Sequence, residues 1–254
     1  MCNEVKKIVV MSGKGGVGKS TVAANLAFKL ASEGNSVGIF DCDFHGPSIP
    51  QMLNVKEDHL GMKDEETIEP VEVNFNLKAV SMEFLLPDDD SAVIWRGPMK
   101  MKAIKEFKQK VEWGDIDYLV IDLPPGTGDE PLTIAQQFNE LEGSIIVTTP
   151  QKVAVQAVRR SIGFSEKVGM KVLGVVENMS TLTCPNCAEE IDVFGSGGGE
   201  KMAEELDISF LGSIPLDPEI MESAEKGRSL IDAESNSSEA FENIVVNLKK
   251  ELGE

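Results

Sequence analysis

A doubly wound α/β fold, with a mainly parallel sheet and helices on both faces, follows from three features of the chain. Short apolar runs recur along its length, helix-like stretches separate most of them, and most of the runs do not alternate in polarity. The last feature is expected of strands covered on both sides. The length of 254 residues suits one large domain with a sizeable core, and the alternation never pauses long enough for a linker. Residues 1–254 are therefore read as a single domain.

The elements follow in order. Ile8-Val9-Val10-Met11 is the first strand, and Thr21 to Leu30 has the composition of a helix. Further strands are predicted at Val37 to Phe40, Tyr118 to Ile121, Ser144 to Thr148, Val172 to Val176 and Phe210 to Ile214. Two segments are weakly patterned and read as surface excursions: Asn54 to Val73, and Leu85 to Pro98 with its acidic triplet Asp88-Asp89-Asp90. Gly195-Ser196-Gly197-Gly198-Gly199 precedes a helix-like Glu200 to Leu206; it has the look of an anion nest but reads as a flexible connector. Near the end, Phe241, Ile244, Val245 and Leu248 have helical spacing and predict a core-facing helix. In such a fold, ligands sit at the carboxyl ends of the strands.

Composition excludes several classes of partner. The net charge of −19 makes the surface as a whole repel nucleic acid and anionic lipid. No amino-terminal signal and no apolar run near the ~18 residues of a membrane span are present, so a cytoplasmic location is expected. Four cysteines, Cys2, Cys42, Cys184 and Cys187, are too few for a disulfide scaffold of this length.

Between the first strand and the first helix lies Gly13-Lys14-Gly15-Gly16-Val17-Gly18-Lys19-Ser20, which fits the phosphate-cradling P-loop pattern in its proper setting. Glycines let backbone N–H groups turn inward around phosphate oxygens, and the helix start adds partial positive charge. Candidate nucleotide contacts run from Gly13 through Thr21. Lys19 would neutralise β/γ-phosphate charge and Ser20 would ligate Mg²⁺. Lys14 is a second lysine that the generic pattern does not require. Hydrolysis also needs carboxylates for the metal and the attacking water. Asp41 and Asp43 follow one strand and Asp122 follows another, where Tyr118-Leu119-Val120-Ile121 precedes Asp122-Leu123-Pro124-Pro125-Gly126. Asp122 has the form of a Mg²⁺-holding acid, whereas Asp41 and Asp43 fit either that site or a turn. Gly126 could offer a backbone N–H to the γ-phosphate. His45 lies nearby with no partner at metal-ligand spacing and reads as a loop histidine.

Cys184-Pro185-Asn186-Cys187 is half a metal site. A structural zinc or a [4Fe–4S] cluster needs four ligands, and the chain holds no second such pair. A two-fold dimer donating two cysteines per chain, a redox disulfide, or no function are the possibilities; dimerisation satisfies the ligand count most simply. Cys42 reads as a small buried residue beside the P-loop, and Cys2 has no assigned role.

The Lys14 to Ser20 loop resembles the deviant Walker A loop of the MinD, ParA, ArsA and nitrogenase iron-protein class of P-loop NTPases. Asp41-Cys42-Asp43-Phe44-His45-Gly46-Pro47-Ser48 and Asp122-Leu123-Pro124-Pro125-Gly126-Thr127-Gly128-Asp129 resemble, more narrowly, the Mrp/ApbC branch of iron–sulfur carrier ATPases. This similarity covers essentially the whole chain. It implies an ATPase whose Lys14 reaches across a homodimer to the partner's phosphates, with Asp43 positioning the water and Asp41 supporting the Mg²⁺ shell. It also implies that Asn178 pairs with adenine and that Pro215 packs on the base. Cys184 and Cys187, in a dimerisation and cluster segment near 178–200, would bridge a labile [4Fe–4S] cluster between subunits, delivered to apo iron–sulfur proteins. Zinc in the same four-cysteine arrangement is the competing occupant. A positioning ATPase acting on membrane or DNA would want a basic amphipathic tail, but Lys249 and Lys250 sit beside Glu251 and Glu254. A nitrogenase-type electron carrier would draw its cysteines from two separated positions, unlike this adjacent pair.

Overall fold

The computed structural model describes residues 4–254 except 45, 57, 65, 86–96, 139, 152–153, 185, 188 and 226–235. The first half runs β1 (Lys6–Ser12), α1 (Lys19–Ser32), β2 (Val37–Asp41), α2 (Ile49–Met52), β3 (Gly61–Met62), β4 (Ile68–Glu69), β5 (Val71–Asn74) and β6 (Leu77–Ser81). It continues through α3 (Gly97–Lys110), β7 (Tyr118–Asp122), α4 (Asp129–Gln137), β8 (Leu141–Thr148), α5 (Ala154–Lys167) and β9 (Val172–Asn178). The last part holds β10 (Leu182–Thr183), β11 (Glu190–Ile191), α6 (Gly198–Glu205), β12 (Phe210–Ile214), α7 (Pro218–Glu225) and α8 (Asn236–Leu252). The main sheet has the order β12-β9-β8-β1-β7-β2-β6-β5, parallel throughout except for the antiparallel edge pair β5 and β6. The doubly wound, mainly parallel sheet expected from the sequence is thus present.

Alternate residues of each central strand feed two separate cores, as the two-residue period of a strand requires. Ile8 and Val10 of β1 join Val120, Val147 and the apolar residues of α1 and α8 on one face. Val9 and Met11 join Phe40, Ile121 and residues of α3, α4, α5 and α6 on the other. Phe241, Ile244, Val245 and Leu248 of α8 are all fully buried. Each such side chain contributes about 1.5–3 kcal/mol by leaving water. The carboxyl-terminal helix is therefore part of the core, and among the described residues no helix is long and apolar enough to cross a membrane.

Every strand predicted from the sequence is present, but β6 was not predicted and one segment needs correction. The segment Asn54 to Val73, read as a surface excursion, contains the β3–β4 ribbon and the start of the edge hairpin β5–β6. Its strands are short, and in β5 only Val71 is buried, so little apolar pattern marks them. Leu77, Ala79 and Val80 of β6 are fully buried beside β2, after a turn in which the Asn76 N–H donates to Asn74 Oδ1 (3.0 Å). The triplet Asp88-Asp89-Asp90 lies outside the described residues, as do His45, Cys2 and Pro185.

Candidate functional site

Strands β1, β2 and β7 lie side by side and end together, so the loop after Ser12, Asp41 and Asp122 meet at one edge of the sheet. Asp41 and Asp122 are register partners across the β2–β7 pair. The P-loop enters α1 through Gly18, whose backbone is left-handed (φ 78°). A side chain there would also collide with the Asn178 amide, so glycine is required twice over. No side chain caps α1 and no acid occupies its first turn, which leaves its first N–H groups for an anion. Gly15 and Gly16 are exposed, Val17 is buried as an anchor, and Gly13 packs against Ala157 of α5.

Lys19 and Ser20 both turn to Asp122. The Lys19 ammonium lies 2.5 Å from Asp122 Oδ1, and the Ser20 hydroxyl donates to Oδ2 (2.6 Å). Lys19 is 6% exposed and Asp122 0%, so each is the other's neutralising partner in a dry site. Thr21, the next residue, is half-buried, and its carbonyl accepts the Asn25 amide (2.9 Å). Asp41 accepts the Asp43 N–H (3.0 Å) and the Ser81 hydroxyl (3.0 Å). Burial, then the Asp122 charge, pushes the Asp41 carboxyl from its ordinary 3.8 up to about 7. Burial lifts Asp122 as well, while the Lys19 charge and the hydrogen bonds from Lys19 and Ser20 pull against it. Asp43 is buried at 8% exposure and accepts the Gly46 N–H (3.3 Å). Cys42 between them is fully buried, and burial together with the Asp41 charge raises its thiol well above the usual range, which makes it an inert packing residue.

The remaining sequence-predicted residues are placed as follows. Lys14 is half-buried and donates to Gln151 Oε1 (3.3 Å) after β8. The Gly126 N–H, expected to face a phosphate, donates instead to the Ser12 carbonyl (2.8 Å). Asn178 donates to the Val17 carbonyl (2.9 Å), which leaves its second N–H and its Oδ1 for another partner. Pro215 lines a cleft of about 290 Å³ with Thr183, Leu216 and Asp217. That cleft borders the Asn178 loop, because Ser180 and Thr181 pair with Ile214 and Leu216.

Hard oxygen donors at Ser20, Asp41 and Asp122 suit Mg²⁺. Thr149, one residue beyond β8, adds a buried hydroxyl with no hydrogen-bond partner among the described residues, an orphan of the kind that a ligand satisfies.

Cys184 and Cys187 sit at the tip of the β10–β11 ribbon, closed by the Cys184 N–H donating to the Glu189 carbonyl (2.9 Å). Neither forms a disulfide, and Cys187 is exposed. Backbone N–H groups of Asn186 and Cys187, with the Cys187 side chain, hold the Cys184 thiol below its ordinary 9.0 and favour the thiolate. Exposed Ile191, Val193 and Phe194 follow directly. Among the described residues no cluster of three or more potential metal ligands forms, so the thiols remain a pair.

Sequence reasoning missed Ser81, Gln151, Glu177 and Lys100. Ser81 is the register partner of Asp41 but lies on the unrecognised strand β6. Lys100 of α3 is buried with its ammonium 5.3 Å from the centroid of the Phe44 ring, beside Asp43. The Gly195 to Gly199 run is no loose connector: the Gly197 and Gly199 N–H groups donate to the Glu177 carboxylate (3.2 and 2.5 Å), so the nest expected as the less favoured reading is real and internally filled. An acid at a strand end, followed some twenty residues later by a glycine run, was the available signal.

A family model described as NUBPL iron-transfer P-loop NTPase, within the ParA group, matches residues 4–249. The iron–sulfur cluster carrier protein of Saccharolobus solfataricus is 50% identical over 246 residues, covering 96% of this chain and 83% of that protein. A nucleotide-binding protein from Archaeoglobus fulgidus, solved in complex with ADP and with Co found by PIXE, superposes with a TM-score of 0.80 at 40% identity. The match covers 93% of this chain and 91% of that one. The septum site-determining protein MinD from Pyrococcus horikoshii, complexed with Mg-ADP, superposes with a TM-score of 0.67 at 24% identity, covering 98% of both chains. The last likeness concerns the fold alone.

Proposed function

The chain belongs to the NUBPL iron-transfer P-loop NTPase family, and from that premise we propose that it is an ATP-hydrolysing homodimer that carries an iron–sulfur cluster to apo-proteins in the cytoplasm. The observation that carries this reading is the unpaired Cys184 and Cys187 at a ribbon tip, Cys187 exposed and the Cys184 thiol held toward thiolate by neighbouring N–H groups, in a chain whose P-loop is complete. Two ligands per chain call for a second chain. Exposed Ile191, Val193 and Phe194 beside the thiols give that second copy an apolar seat.

Nucleotide binding begins with an exchange. Lys19 leaves Asp122 for the β/γ-phosphate oxygens, and the first N–H groups of α1 and the P-loop amides receive the remaining charge. Asp122 and Ser20 are then available to a cation that enters with the nucleotide, and Asp41 stands beside them ready to lose its proton. Mg²⁺ bound there would neutralise charge on the transferring phosphoryl group. Asp43, at the mouth of β2, orients the water that attacks the γ-phosphorus. Asn178 offers one donor and one acceptor to the adenine edge, and Pro215 and Leu216 supply apolar cover. Gly126 contributes its N–H only after leaving the Ser12 carbonyl. Lys14 exchanges its long contact with Gln151 for the partner's phosphates, so hydrolysis waits for the dimer.

The cargo is a [4Fe–4S] cluster held by two cysteines from each chain, with Zn²⁺ the competing occupant of the same thiolates. Anaerobic reconstitution with iron and sulfide, followed by absorption spectroscopy and metal analysis, tests the reading. Cluster absorption is expected in the wild type and not in Cys184→Ser/Cys187→Ser. Equal loading of both proteins, or zinc retained against excess iron and sulfide, would overturn it.

A further inference from the structure

The cysteine-bearing segment leaves the sheet at Asn178 and returns at Gly197, and consecutive residues of β9 fasten both ends. Asn178 bonds the Val17 carbonyl inside the P-loop (2.9 Å). Glu177, 1% exposed, accepts the N–H groups of Gly197 (3.2 Å) and Gly199 (2.5 Å) at the start of α6. Neighbouring residues of a strand point to opposite faces, so one short piece of backbone grips the nucleotide loop on one side and the root of the cysteine segment on the other. Glycine is needed at that root for close approach: a Cβ on Gly198 would collide with the Pro150 carbonyl, and one on Gly199 would lie 2.9 Å from Glu177 Cβ. Pro150 in turn precedes Gln151, the partner of Lys14.

We propose that Glu177 is a positioning residue that transmits the state of the P-loop to the Cys184–Cys187 pair. The inference rests on the reading that the P-loop takes nucleotide and the thiols take the cargo. A carboxylate buried against a helix start makes charge-assisted hydrogen bonds and holds the helix by its positive end. When phosphate draws the P-loop amides inward, Val17 moves its bond to Asn178. The end of β9 shifts as a unit, and Glu177 carries α6 and the ribbon between them along. Asn178 alone cannot do this, because the far end of the segment would not follow.

The test compares full-length chains in a Cys2→Ser background, where Cys42 is buried and the labelled thiols are Cys184 and Cys187. Labelling rates with an aromatic disulfide reagent are measured with and without saturating Mg-ATP, and nucleotide affinity is measured separately. Nucleotide is expected to change the rate by about fivefold or more in the parent chain. In Glu177→Gln the nucleotide should still bind, and the ratio of the two rates should fall toward one. Gly199→Ala, which presses on Glu177 from the other side, should do the same and serves if the first variant fails to fold. A parent chain that binds nucleotide with unchanged labelling overturns the proposal and leaves the functional reading standing; a chain that binds no nucleotide overturns both. A variant whose two rates rise together with the ratio preserved shows that Glu177 only stiffens the segment, which also overturns the proposal.

Discussion

Replacing Asp41 with asparagine separates what that side chain does for the site from what it does to the fold. Asp41 is fully buried next to Asp122, and its carboxyl is raised from 3.8 to about 7, first by burial and then by the Asp122 charge. An acid with a higher pKa in the fold than in the unfolded chain binds an extra proton when folded between those two values. Its stabilising effect is therefore complete below about 3.8 and lost as pH rises through about 7. A separation of roughly three units at about 1.36 kcal/mol per unit gives an upper bound of about 4 kcal/mol. Asparagine carries no charge, still accepts the Asp43 N–H, and can donate to Ser81. Without nucleotide or divalent cation, Asp41→Asn should therefore be more stable than the wild type at pH 8 by about 1–4 kcal/mol. The advantage should shrink markedly at pH 5. Urea unfolding at both pH values measures it, alongside ATPase assays that should show the variant inactive. A variant less stable than the wild type at pH 8, or offset equally at both pH values, would refute the argument.

Lys14→Ala should lower kcat for ATP hydrolysis by roughly 10³-fold or more while nucleotide still binds; parallel loss of binding in calorimetry would show that Lys14 serves only its own loop. Lys19→Ala leaves Asp122 charged and dry, so chemical denaturation should show a loss of about 3–5 kcal/mol, together with lost nucleotide binding. Phe241→Ala should cost about 3–5 kcal/mol by opening a hole beneath the buried face of α8, where Phe241 is fully buried. Neither vesicle binding nor DNA binding should appear in that variant or in the wild type on co-sedimentation with ATP.

The central strands were readable because strands buried on both faces leave unbroken apolar runs, as Tyr118 to Ile121 does. The P-loop was readable because its chemistry fixes residue types at fixed spacing between a strand and a helix. The edge hairpin was not: β5 buries only Val71, and its pairing is set by distant β2 rather than by local pattern. With β6 unseen, Ser81 could not be placed against Asp41. Glu177 and Gln151 escaped for a related reason, since each acts by tertiary contact across more than a dozen residues and no short motif records such a contact. Asn178 was singled out through the family resemblance, and its grip on Val17 is visible only in three dimensions.

Native mass spectrometry of the anaerobically reconstituted protein, with iron and acid-labile sulfide quantified on the same sample, tests the central claim most directly. Two chains holding one [4Fe–4S] cluster, reverting to single chains without iron in Cys184→Ser/Cys187→Ser, is the predicted result. A cluster on a single chain, or an iron-free wild-type dimer that still hydrolyses ATP at its full rate after reconstitution, would contradict it.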